Sequence, residues 1–192
     1  MALVFDTETT GLPLKDINRR FYSYRDTDKY DNARIVSIAF VIDGEEHYFI
    51  VKPDGFHITN SEFHGITQEI AERDGVPMSR IVEVLKQNVD RLHTIVGHNL
   101  EFDYMILMSE LYRLNELDLI AQIKGLKRYC TMRESTDLCQ LPSKSAFSKY
   151  KFPKLQELYK FLFKTEFEGA HHALNDARAT YQCYVKLQSQ IP

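Results

Sequence analysis

Ala2-Leu3-Val4-Phe5-Asp6-Thr7-Glu8-Thr9-Thr10-Gly11 opens with four apolar residues and then breaks into acidic and hydroxyl side chains. A short unbroken apolar run bounded by polar, Gly-containing sequence is the pattern of a buried central strand. The chain downstream supplies its neighbours. Residues 34–42 (Arg-Ile-Val-Ser-Ile-Ala-Phe-Val-Ile) are rich in β-branched side chains, Asp43-Gly44 is a strong hairpin turn signal, and His47–Val51 is again strand-like. Three antiparallel strands are predicted. From Ser79, the spacing of Ile81, Val82, Leu85, Val89 and Leu92 has helical period, and Thr94-Ile95-Val96-Gly97 reads as a further buried strand. A helix is predicted from about Leu100 to Leu114, with Phe102, Ile106, Leu107 and Leu111 on one face, and two more over roughly 153–163 and 174–188. Strands first, then helices alternating with strands, predict an α/β domain with a mixed central sheet and helices on both faces.

The 192 residues are expected to form one domain, 1–192, large enough to bury a core without disulfides. Hydrophobic residues at 44% and charged residues at 27% exclude a disordered tail, and no apolar run is long enough to cross a bilayer. The opening residues lack the basic region and long apolar segment of a secretory signal, so an intracellular, cytoplasmic location is expected, the nucleus remaining open. Cys130, Cys139 and Cys183 are odd in number and widely spaced, which points to reduced, mostly buried thiols rather than a zinc site. A net charge of −3 argues against binding nucleic acid through bulk positive charge. It does not argue against a nuclease, whose clustered metal-binding carboxylates carry negative charge locally.

Three segments hold carboxylates where a site would lie. Asp6 and Glu8 are two apart at a strand end, so both point to one side and can share a cation; alone, D-x-E is as readily a polar turn. Asp103, in Gly97-His98-Asn99-Leu100-Glu101-Phe102-Asp103, sits where a strand stops and a helix starts, which fits either helix-start chemistry or a site at a strand's carboxyl end. Asp176 follows His171 by five residues, about 500° of helical rotation, so His171 is placed in the loop entering the helix. Together they offer hard oxygen ligands for two cations about 4 Å apart, and an imidazole to deprotonate water.

Asp6-Thr7-Glu8, His98 to Asp103, and His171 to Asp176 match in order and separation the D-x-E, H-N-x-x-F-D and H-x-x-x-x-D motifs of the DEDD exonuclease superfamily. The chain resembles its histidine-containing, DnaQ-like branch along essentially its whole length. That resemblance implies a ribonuclease H-like exonuclease domain and 3′ to 5′ hydrolysis releasing 5′-mononucleotides. It also implies two Mg²⁺ or Mn²⁺ ions held by Asp6, Glu8, Asp103 and Asp176, with His171 as general base. Gly11-Leu12-Pro13 looks like the segment whose apolar side chain wedges beside the terminal base, and Thr9 would offer a backbone amide near the 3′ hydroxyl. Phe63-His64-Gly65-Ile66-Thr67 looks like the segment lining the terminal nucleotide's pocket, which adds His64 and Ile66, while Asn99 and Phe102 come with the second motif. His172 directly follows His171, and motif spacing selects the first of the pair.

The implied partner is a single-stranded 3′ end of nucleic acid, with a DNA polymerase or other replication or repair protein as a further expectation. DNA is favoured. An exoribonuclease is the alternative, and a non-catalytic nucleic-acid-binding domain a remote one that the complete catalytic set disfavours. Two long irregular tracts mix cations with aromatics: residues 13–34, with Lys15, Arg19, Arg20, Arg25, Lys29 and Arg34 among Phe21, Tyr22, Tyr24 and Tyr30, and residues 144–154, with Phe147, Tyr150 and Phe152. The first suits a single strand, cations on phosphates and rings on bases, or else a solvated loop with packed aromatics; the second precedes the helix that leads to His171 and is placed at the rim of the cleft.

Overall fold

The computed structural model describes residues 1–145 and 148–189. Five strands, β1 (Ala2–Thr9), β2 (Ile35–Ile42), β3 (Glu45–Ile50), β4 (Thr94–Gly97) and β5 (Lys127–Cys130), form one sheet in the order β3-β2-β1-β4-β5. The first three are antiparallel neighbours, whereas β4 runs parallel to both β1 and β5. The β2–β3 turn places Asp43 at φ 52° and Gly44 at φ 86°, the left-handed pair that a tight hairpin demands.

The period of two along β1 divides the interior into two cores. Leu3 and Phe5 face one, with Ile38 and Phe40 of β2, under α3 (Met78–Asn88), α4 (Leu100–Arg113) and α5 (Leu117–Gly125). Val4 faces the other, with Ala39, Val41 and Val96, under α8 (Leu155–Phe163) and α9 (Ala173–Gln188). Shorter helices α1 (Ser61–His64), α2 (Gln68–Asp74), α6 (Thr131–Glu134) and α7 (Thr136–Cys139) fill the connections. Helices therefore cover both faces of a mixed sheet. The small residues Ala173, Ala177, Thr180 and Cys183 are all fully buried on α9 and let it lie close against the sheet. All three cysteines are free; Cys139 and Cys183 are buried, and burial pushes the Cys183 thiol up to about 12.

β1 runs four residues past its apolar run, because Asp6 to Thr9 stay paired with β2 through a register shift between Glu8 and Thr9. The acidic segment is thus strand, not turn. The short connecting helices lie outside the sequence reading, and so do α5 and the edge strand β5, whose Lys127 and Arg128 are exposed.

Candidate active site

Asp6 and Glu8 leave β1 on the side of Val4, toward α9, while Thr7 points to the side of α4. The fourth residue of α9 is Asp176, and carboxylate oxygens of Asp6, Glu8 and Asp176 all lie within 4.8 Å of one another. Asp103 comes from the first turn of α4 and is buried; its Oδ1 accepts from the Thr7 backbone N–H at 3.1 Å and from the Thr7 hydroxyl at 2.6 Å. One oxygen of Asp103 is therefore committed to β1. All four carboxylates nevertheless line one cleft of ≈ 330 Å³, together with His171.

The electrostatics of this cleft are one-sided. Burial, then the charges of Asp103, Asp176 and Glu8, push Asp6 well above the usual carboxylate range. Glu8 is pushed up to about 7 by burial and then by Asp176 and Asp103. Burial also takes Asp103 to about 7 against the Thr7 hydrogen bonds, and raises Asp176 against the His171 backbone N–H. Four raised carboxyls in one cleft form a hard, oxygen-only donor set with excess negative charge, which fits a divalent cation.

The paired histidines separate cleanly. His171 lies in the loop before α9 at φ 66°, donates its backbone N–H to Asp176 Oδ2 at 3.0 Å, and lines the cleft. The ring of His172 turns away and stacks on Tyr48 of β3, centroids 4.7 Å apart. Asn99 makes the sharp exit from β4 at φ 63° and, with Phe102, lines the same cleft. His98 bonds Thr131 Oγ1 and the Pro153 carbonyl, both at 3.0 Å. A carbonyl only accepts, so Nε2 carries the proton and Nδ1 takes the Thr131 hydroxyl. Burial holds His98 down at about 4, and as a neutral ring it ties β4 to the segment leading into α8.

The expected terminal-nucleotide residues are only partly presented to the cleft. Leu12 is 74% exposed beside it. Thr9 closes its turn through Oγ1 to the Gly11 carbonyl, 2.8 Å, and its own carbonyl accepts from Asn60 Nδ2, 2.8 Å. Gly11 is needed there, since a Cβ would sit 2.8 Å from the Asn32 carbonyl. His64 and Ile66 differ from expectation. The His64 ring is buried, accepting from the Ile66 backbone N–H at 3.1 Å, so it locks its own turn. Ile66 packs into a small core with Val36 and Ala71 and has no free face for a base. The exposed apolar side chain of that segment is Phe63. Thr7, Asn60 and Gln156 are site residues the sequence reading missed; a Thr between two acids and a lone Asn or Gln carry no distinguishing pattern.

A groove of ≈ 980 Å³ continues from the cleft. Lys15, Arg19, Arg20 and Phe21 line it, as do Phe152, Lys154, Phe102, Arg133 and His171. The first basic tract therefore divides. Its early residues face the groove, whereas Arg34 pairs with Glu110, Tyr30 is buried with its hydroxyl on the Tyr22 carbonyl, and Tyr24 packs edge-on against Tyr112. Phe147 of the second tract lies outside the described residues, and Tyr150 bridges to Pro142.

A mixed sheet with carboxylates converging from β1, α4 and α9 defines a ribonuclease H-like exonuclease fold. Residues 3–184 match the exonuclease family RNase_T, of the DEDD superfamily, and the chain belongs to that family. Among solved structures it is similar to Escherichia coli exonuclease I in complex with a dA16 oligonucleotide, with a TM-score of 0.70 and 20% identity over 100% of this chain and 41% of that one. The exonuclease I of Methylocaldum szegediense is similar at a TM-score of 0.69 and 20% identity, and the zinc-bound E. coli enzyme with single-stranded DNA likewise, each over 100% of this chain and 41% of the other. The chain thus spans less than half the length of these proteins. No curated protein matches it.

Proposed function

We propose that this protein is a metal-dependent 3′ to 5′ exonuclease of the histidine-containing branch, which removes 5′-mononucleotides from single-stranded DNA. The observation that carries the reading is the convergence of three carboxylates within 4.8 Å in a cleft that also holds Asp103 and His171. Asp6, Glu8 and Asp176 would hold one divalent cation, Mg²⁺ or Mn²⁺, and the uncommitted oxygen of Asp103 is free to help hold a second. When bound, such ions supply Lewis acidity at the phosphate and lower the pKa of water.

The chain's own groups do the rest. His171 accepts the proton of the attacking water at a ring nitrogen, an assignment supported by its place in the cleft wall and by the withdrawal of His172. Leu12 stands beside the terminal base, on a turn that Gly11 and Thr9 hold tight. Lys15, Arg20 and Lys154 line the groove for phosphates, and Phe21 and Phe152 offer faces for bases, which suits a strand without a complement. The oligonucleotide complexes of exonuclease I support DNA as the substrate.

The test is degradation of matched end-labelled single-stranded DNA, duplex DNA and RNA with Mg²⁺ and with Mn²⁺. Single-stranded DNA should be shortened from its 3′ end, and a 3′-phosphate should block it. Early release of a mononucleotide from a 5′-labelled strand would overturn the direction, faster loss of RNA the sugar. Parental turnover by a normally folded D6A protein would overturn the metal assignment.

A further inference from the structure

The loop that carries His171 is held in an uncommon backbone conformation. Gly169 and His171 both have left-handed backbones, φ 72° and 66°. For His171 this is a disfavoured state that persists only where its surroundings impose it. The His171 N–H on Asp176 is one constraint, and two more trace back to β3, an edge strand whose residues do not line the cleft.

Two clamps reach the loop from neighbouring positions on one face of that strand. Tyr48 stacks on the ring of His172, centroids 4.7 Å apart and planes 30° from parallel. Glu46 accepts two hydrogen bonds from Arg178, at 2.7 and 2.6 Å; Arg178 reaches Asn175 Oδ1 at 3.3 Å, and Asn175 Nδ2 donates to the Gly169 carbonyl at 3.0 Å. Any Cβ at Gly169 would stand 2.3 Å from that same Nδ2. The His172 ring is there for its face: its Nδ1 is buried with no hydrogen-bond partner.

We propose that Tyr48 and His172 are positioning residues, whose stack, with the Glu46–Arg178–Asn175 chain as a second clamp, holds His171 toward the cleft. This rests on the reading of His171 as the general base. Neither aromatic touches substrate; each acts on the peptide that aims the imidazole. Small misplacements of a reacting group lower rates steeply, so loosening one clamp lowers turnover while leaving the groove's affinity intact.

The experiment measures kcat and KM on an end-labelled single-stranded DNA oligonucleotide for the parent, H171A, H172A, H172F, Y48L and the double variant H171A/H172A, each with its circular dichroism spectrum. The expected result is a kcat about tenfold lower in H172A and in Y48L with little change in KM, and recovery in H172F, which restores the stacked face without the unpartnered nitrogen. In the H171A background, H172A should add nothing, because a clamp acting only through His171 has nothing left to aim. Parental kcat in both H172A and Y48L overturns the clamp, provided H171A is inactive. A further drop in H171A/H172A also overturns it, since the stack would then serve general folding. If H171A itself turns over at the parental rate, the reading of the base fails instead, whatever the clamp variants do.

Discussion

Asp176→Asn removes a charge from the carboxylate cluster while leaving an oxygen to accept the His171 N–H. Carrying the Glu8 carboxyl from its ordinary 4.5 to about 7 costs the folded protein about 3 kcal/mol once the group is ionised. Burial is the largest cause and the charge of Asp176 the next, so neutralising Asp176 should return about 1 kcal/mol through Glu8, with a further gain through Asp6. The sign follows from linkage. Glu8 has a folded pKa above its unfolded value near 4.3, so its contribution is fully present below that value and is lost as pH rises through about 7. Metal-chelated parent should therefore lose stability between about pH 5 and pH 8 relative to D176N. Urea unfolding in EDTA at both pH values measures this, followed by circular dichroism because the chain has no tryptophan. Adding Mg²⁺ should stabilise the parent by mass action and D176N much less. An equal pH slope in the two proteins would refute the account, and so would a D176N less stable than the parent at alkaline pH.

His98 carries the opposite sign: with its folded pKa near 4 against about 6.5 unfolded, its stabilisation is present above 6.5 and lost as pH falls through 4, about 3 kcal/mol in all. H98N should flatten the acid limb of the unfolding profile, and a parental slope there would contradict the buried neutral ring. Glu110→Gln should destabilise by about 3 kcal/mol, because Arg34 is left largely buried without its charge partner; a change in urea midpoint worth under about 0.5 kcal/mol would be inconsistent with that pair's geometry. In a D6A background, expected to lack turnover, K15A/R20A should bind a single-stranded oligonucleotide more weakly and with a shallower dependence on log[KCl], by roughly 0.7 for each phosphate no longer neutralised. Matching slopes would mean these cations do not meet phosphates.

Those elements whose hydrophobic pattern is imposed by burial were readable. β2 packs on both faces and is apolar but for Ser37, and β4 and α4 begin and end within a residue of where their patterns do. β5 was not readable, because an edge strand reading Lys-Arg-Tyr-Cys buries only one side chain well and shows no alternation. The site divides the same way. Asp6, Glu8, Asp103, His171 and Asp176 form spaced motifs, and the cleft brings all five together. His64 and Ile66 sit in an equally recognisable segment, yet whether a side chain at the end of a four-residue helix, or in the turn after it, faces cleft or core depends on how that turn docks, here through Asn60 on the Thr9 carbonyl. Spacing along a chain holds no record of that docking.

Asp6 lies on the first strand of the sheet to be made and Asp176 on α9, so nearly the whole domain separates two groups that must meet. Until a ribosome has released α9, a growing chain has only part of its carboxylate cluster, lacks His171, and leaves the Val4, Ala39 and Val41 face of the sheet uncovered. The same helix closes that apolar face and completes the cleft. If these residues carry the proposed reaction, catalytic competence arrives together with the burial of the second core, and an unfinished polypeptide passing near nucleic acid has no means of cutting it.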